Sequence, residues 1–165
     1  MNIRRIKPDE GARLRAIRLA ALADTPNAFG STFAEEQALP FERWTRFAEE
    51  TASLDTATIF VAEEQDQWYG MARGFVHANY SEIVRLVSMW VDPARRRTGV
   101  GAMLVEAVVD WARARGARSV QLWVTETNHA ARSLYARRGF VDTIHTKPLP
   151  SNPALQEILM VRELL

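Results

Sequence analysis

Apolar residues recur along this chain in two rhythms, one of about 3.6 residues and one of two, and their alternation predicts a mixed order of helices and strands. Residues 2–7 alternate like a strand, and residues 9–23 place Leu14, Ile17, Ala21 and Leu22 at helical intervals until Thr25-Pro26-Asn27 breaks the pattern. The loop at 28–33 leads to a second helical stretch over 41–52, anchored by Trp44 and Phe47. Residues 58–64 and 68–77 read as a hairpin about a Gln65-Asp66-Gln67 turn. The run at 83–91 is apolar and β-branched enough for a strand buried on both faces, and Asp92-Pro93 ends it. A helix then opens at Val100, carries Met103, Leu104, Ala107, Val108 and Trp111 on the same face, and closes through Arg113 and Arg115 at Gly116. A strand over 119–124, a short helix capped by Asn128 and stopped by Gly139, and a late strand pair over 141–147 and 155–162 complete the pattern. Between the last two strands lies a loop over 148–153, where proline is expected to keep the chain out of the sheet.

The middle of this order is a βαβ unit, whose strands should be parallel and joined by a right-handed crossover. Its first turn reads Arg95-Arg96-Arg97-Thr98-Gly99-Val100-Gly101 and lies at the carboxyl end of a strand, where α/β sheets bind ligands. Glycines at 99 and 101 let the backbone turn tightly and approach a ligand, so that the free N–H groups of the helix start converge on phosphate oxygens. Arg96 and Arg97 add positive charge beside them. A P-loop is excluded, because Gly101 is followed by Ala102-Met103 and not by Lys and a hydroxyl residue. A dinucleotide fingerprint wants Gly or Ala where Leu104 stands, although Glu126 after the next strand imitates its ribose-binding acid.

The pattern that fits is Gln/Arg-x-x-Gly-x-Gly/Ala, present as Arg96-Arg97-Thr98-Gly99-Val100-Gly101. A second segment, Asn128-His129-Ala130-Ala131-Arg132-Ser133-Leu134-Tyr135-Ala136-Arg137-Arg138-Gly139-Phe140, fits Asn-x-x-Ala-x-x-Leu-Tyr-x-x-x-Gly-Phe. Together, in order around a βαβ unit, they resemble the GNAT (general-control-related N-acetyltransferase) superfamily. The resemblance implies a GNAT-like mixed β-sheet flanked by helices, of α/β class and order β-α-α-β-β-β-α-β-α-β-β, with residues 1–165 as one N-acetyltransferase domain. It also implies acetyl-CoA as co-substrate, with the pyrophosphate at residues 96–101. The strands ending near Val91 and Val124 would splay, and the pantetheine arm would pair with the backbone of Met89, Trp90 and Val91. Asn128 and Tyr135 complete the implied coenzyme site. Arg97 departs from the family, in which many relatives carry glycine.

Composition is consistent with this picture. A length of 165 residues suits one sizeable core, and a net charge of +1 argues against nucleic acid as a main partner. No apolar run approaches the roughly 18 residues of a membrane span, and the first residues lack a signal-peptide core, so a cytoplasmic protein without membrane contact is expected. The absence of cysteine rules out disulfides, thiolate metal sites and a cysteine acyl-enzyme. His77, His129 and His145 are isolated from one another, and no metal is implied. A homodimer is left open.

The reaction implied is acetyl transfer from a thioester to a primary amine by direct attack in a ternary complex. Tyr135 is the candidate general acid by chemistry and by motif, since a phenol of reference pKa about 10 is protonated at neutral pH and can supply the leaving thiolate with a proton. For the base, Arg85 and Ser88 face the expected site without being bases, Glu82 lies too far back, and Glu126, Glu35 and Glu36 are the alternatives. The acceptor, a small-molecule or peptide amine, would meet Phe29, Gly30, Ser31, Thr32 and Phe33 and the late loop. A catalytically silent acyl-CoA-binding sensor is the competing class, disfavoured by Tyr135.

Overall fold

The computed structural model describes residues 1–165. Its strands are β1 (Asn2–Arg5), β2 (Ala57–Glu64), β3 (Gln67–Val76), β4 (Ile83–Val91), β5 (Ser119–Thr125), β6 (Val141–Leu149) and β7 (Asn152–Glu163). Its helices are α1 (Gly11–Asp24), α2 (Phe33–Gln37), α3 (Phe41–Ser53), α4 (Val100–Ala114) and α5 (His129–Arg137). All seven strands form one sheet in the order β1-β2-β3-β4-β5-β7-β6. Only β4 and β5 run parallel, as the βαβ reading requires; the other neighbours are antiparallel.

The sheet is covered on both sides. Val84, Leu86, Val120 and Leu122 pack under Leu104, Val105 and Val108 of α4, joined by Tyr135 and Phe140. On the opposite face Ile59, Val61, Met71 and Trp90 meet Leu14, Ile17 and Leu22 of α1 and Trp44 of α3. Burying such side chains is worth roughly 1.5–3 kcal/mol each and drives the layering. None of the helices is long and apolar enough to cross a membrane.

Two local features differ from the sequence expectation. The segment after residue 28 contains an extra one-turn helix, α2, so three helices and not two precede β2. It is set by a capping box: the Thr32 hydroxyl accepts from the Glu35 N–H at 3.2 Å, and the Glu35 carboxylate accepts from the Thr32 N–H at 3.0 Å. The supposed loop over 148–153 is a tight hairpin turn, with Leu149 opposite Asn152 and Pro148 opposite Gln156. Proline enters this sheet because β6 is its edge strand, where a missing donor breaks no inner ladder.

The start of α1 is locked to the first hairpin by an ionic cluster. Arg4 donates to Glu63 at 2.7 Å and to Glu10 at 2.6 Å, and Arg13 reaches Glu63 at 3.0 Å. The Arg4 hydrogen bond, aided by Arg13 and Trp68 and outweighing desolvation, brings the Glu63 carboxyl down to about 2. A carboxyl lowered in the folded state stabilises above its unfolded value and loses that contribution as pH falls through the folded one. Glu63→Gln is therefore expected to lose about 2 kcal/mol at neutral pH, with the difference from the parent vanishing as pH falls towards about 2. Urea melts at a series of pH values test this; a pH-independent difference would contradict it.

Candidate active site

The cleft arises where β4 leaves its neighbours. Against β3 the register steps from Arg73 opposite Val87 to Met71 opposite Trp90, which leaves Ser88 and Met89 bulged outward. Ser88 carries the bend, with φ +55° in the left-handed region. Against β5, β4 is paired only from Ile83 to Arg85. Beyond that point β5 follows β7 as far as Thr125, and the two parallel strands diverge. A cleft of about 860 Å³ opens between them, lined by Leu86 to Val91 on one side and by Trp123, Val124 and Thr125 on the other. The strand expected to be buried on both faces is instead fully buried only at Val84, Leu86 and Trp90, the rest being half-buried.

The Arg-rich turn forms one end of the cleft, to which Arg96, Arg97, Gly99, Gly101 and Ala102 contribute. Gly99 is the residue before α4 and has φ +91°, where any side chain would be strained. No side chain caps this helix, so its first N–H groups stay available, whereas the Asn128 side chain caps α5 through the Ala131 N–H at 3.2 Å. Gly101 serves differently from expectation. A Cβ there would stand 3.0 Å from Leu134 Cδ2 and 3.3 Å from Met89 Cε, so its absence lets α4 close onto β4 and α5. Arg97 also adopts a left-handed conformation, φ +60°, a geometry that glycine takes without strain. Thr98 points away and donates to the Arg95 carbonyl at 2.6 Å, and the Val100 side chain is buried under the sheet.

Arg96 is not a free cation. Its Nε donates to the Val91 carbonyl at 2.9 Å, and its Nη2 pairs with Asp24, which also accepts from Trp90 Nε1 at 3.0 Å. Burial works to raise the Asp24 carboxyl, but the hydrogen bonds from Trp90 and Arg96 outweigh it and hold the group below the usual range. The end of α1, the β4 edge and the turn are thus fastened together.

Tyr135 lies on the inward face of α5, 6% exposed, lining the cleft, with its ring edge-on to Phe140 at 5.8 Å. Burial alone pushes its phenol well above the ordinary value, so it stays protonated. Asn128 and Leu134 line the same wall.

None of the acceptor-side residues named from the sequence lines the cleft, which there is made by Thr25 and Ala28, and Phe29 is buried in the core on the α1 side. The β6–β7 turn touches this segment: Ser151 Oγ donates to the Phe29 carbonyl at 2.5 Å, and Pro150 lies against Gly30. Phe33 packs against the α1 side of the core, and Thr32 with Glu35 is occupied at the exposed start of α2. Glu36 pairs with Arg18 at 2.7 Å and accepts from Ser31 at 2.9 Å, and Arg18 reaches Ser88 Oγ at 3.4 Å. Of the carboxylates considered as bases, Glu36 is therefore the one tied to the bulge. Glu126 sits half-buried just beyond β5, with its carbonyl bonded by Arg132.

Sequence reasoning passed over Arg18 and Arg73. A charge inside an otherwise apolar stripe was the available signal, since Arg18 sits between Leu14 and Leu22 and Arg73 between Met71 and Phe75. Glu157 was also missed. It is 7% exposed, stands opposite Thr125 in register, and burial pushes its carboxyl up despite Lys147 at 3.8 Å.

A splayed parallel strand pair, a bulge and an uncapped glycine-opened helix define a class. Residues 18–140 match the model of the acetyltransferase (GNAT) family. This chain belongs to that family. Its relatives include a mycothiol acetyltransferase of Renibacterium salmoninarum, 29% identical over 92% of this chain and 45% of that protein. Another, from Thermomonospora curvata, is 31% identical over 91% of this chain and 48% of the relative. The chain thus spans about half the length of these curated relatives. Among solved structures, a GNAT acetyltransferase of Streptococcus pneumoniae superposes with TM-score 0.81 at 24% identity, covering 99% of both chains. The yncA protein of Salmonella typhimurium, solved with its cofactor acetyl-CoA, gives 0.83 at 21% identity over 100% of this chain and 94% of its own. These likenesses show the shared fold.

Proposed function

We propose that residues 1–165 form one N-acetyltransferase domain that moves an acetyl group from acetyl-CoA to a primary amine by direct attack in a ternary complex. The observation that carries this reading is the β4 edge beyond Arg85, which leaves β5 and offers strand-type donors and acceptors to an extended ligand between an uncapped helix start and a buried phenol. A pantetheine arm fits that edge as an added strand, and a pyrophosphate fits the N–H groups of α4 with Arg97 beside them.

Acetyl-CoA supplies the acetyl group as a thioester. The backbone N–H groups around Met89 to Val91 hold the carbonyl oxygen as it gains charge. The attacking nitrogen has to be neutral, so the ammonium first gives one proton to water at the acceptor side of the bulge, to which Glu36 is tied through Arg18. As the C–S bond breaks, Tyr135, kept protonated by burial, gives its proton to the departing sulfur, and the proton that the nitrogen sheds once the C–N bond has formed restores the phenol. The absence of cysteine removes the obvious acyl-enzyme nucleophile and favours direct transfer.

A screen for acetyl-CoA-dependent acetylation across amino acids, polyamines, aminoglycosides and peptide N-termini tests the reading. Saturable thiol release with one acceptor class is expected. A folded protein that binds acetyl-CoA yet acetylates nothing in the panel would support the silent sensor instead.

A further inference from the structure

Three guanidinium groups gather on the α1 side of the sheet, beside the β4 bulge. Arg73 and Arg85 project from β3 and β4 on the face opposite α4, two register positions apart: Arg73 pairs with Val87, and Arg85 with Phe75. Arg18 approaches from α1, reaches Ser88 Oγ at 3.4 Å, and stacks on Phe29 at 4.6 Å. Glu36 is the one carboxylate in ion-pair contact with any of the three, so three cations face one anion.

The other two arginines are unbalanced. Neither Arg73 nor Arg85 has a carboxylate within 4.0 Å. Nε of Arg73 and Nη1 of Arg85 are buried without a hydrogen-bond partner. Phe47 and Phe75 satisfy the faces of the Arg73 guanidinium, at 5.0 and 4.8 Å, but an aromatic face takes up none of the in-plane N–H donors along its edge. Burial, and for Arg73 the charge of Arg18, press both groups below the ordinary arginine range. A fold that merely needed to fill this space would use apolar residues, since each of these half-buried guanidinium groups leaves one buried N–H without a partner.

We propose that this cluster is the specificity site for the acceptor, and that the acceptor is an amine bearing a carboxylate, of amino-acid type, whose oxyanion binds Arg73 and Arg85 while its amine faces the bulge. This rests on the acetyl-transfer reading above. Arginine suits the task because its planar fork grips a carboxylate in two parallel hydrogen bonds. Phe47 and Phe75, stacked on Arg73, cover the faces of its guanidinium and leave its edge for the carboxylate.

The test compares matched acceptors with the intact protein: amino acids, their α-carboxamides and the corresponding decarboxylated amines. The acids are expected to exceed both by about 10²-fold in kcat/KM, and Arg73→Met and Arg85→Met should each cut that preference about tenfold or more. Calorimetry supplies a second readout independent of turnover. N-acetyl amino acids should bind more tightly than their amides, and the gap should close in the variants. Equal binding and equal use of acids, amides and amines by the parent would overturn the proposal while leaving acetyl transfer intact. If no acceptor is acetylated, the reaction reading fails, and preferential binding of N-acetyl amino acids still decides for or against the anion site.

Discussion

Tyr135→Phe is expected to fold and bind acetyl-CoA like the parent protein while kcat falls about 10²-fold or more. The variant keeps the ring against Phe140 and removes only the hydroxyl. Burial is the sole cause of that phenol's raised value, with no protein hydrogen bond contributing, so its removal strands no partner and Tm should barely change. A group that acts only as the tetrahedral intermediate breaks down affects turnover and not ground-state affinity. The measurement is kcat with a confirmed acceptor, together with acetyl-CoA affinity by calorimetry and a thermal melt. Near-native kcat in the folded variant would remove Tyr135 from the mechanism and assign protonation of the sulfur to water.

Gly101→Val should weaken acetyl-CoA binding by at least about tenfold, which corresponds to roughly 1.4 kcal/mol. The branched side chain would press on Leu134 Cδ2 and Met89 Cε, which already stand 3.0 and 3.3 Å from an ideal Cβ. Overpacking of this kind costs about 1–3 kcal/mol and would be relieved by moving the start of α4 away from β4. The N–H groups proposed to hold the pyrophosphate would move with it. Calorimetry below the variant's melting temperature decides, and undiminished affinity in folded protein would place the pyrophosphate elsewhere. Tighter binding of a nicotinamide dinucleotide than of acetyl-CoA by the parent would also overturn the assignment.

The βαβ unit was legible because its signals are local and repeated. The apolar run that became β4 was located at its observed limits, and α4 was marked by its periodic face, its glycine-rich start and Gly116 at its end. What escaped depends on contacts distant in sequence or on backbone angles. Asp24 neutralises Arg96 across 72 residues of chain, so the Arg run looked more exposed and more cationic than it is. The Ser88 bulge is written in a φ value and not in a hydropathy pattern. Helix α2 is too short for a 3.6-residue rhythm to register, although its Thr32-x-x-Glu35 box was present to be read. Arg18, Arg73 and Arg85 lie apart in sequence, and only the sheet register and the seating of α1 bring them together.

The short contact between β4 and β5 has a mechanical meaning. With three register pairs joining them, β1 to β4 form one leaf of the sheet and β5, β7 and β6 another, sharing a spine at one end only. Away from the spine the leaves are bridged by α4, whose Leu104, Val105 and Val108 pack on both, and by loop contacts such as Thr125 Oγ1 to the Asn27 carbonyl at 2.6 Å and Ser151 to Phe29. Partial opening along this line breaks few strand pairings, because only three register pairs hold β4 to β5. A strand-like ligand seated between the leaves acts as a rivet. Its binding energy adds to the cohesion of the whole sheet by mass action, so that cofactor supply would govern how long the protein survives proteolysis as well as how fast it works.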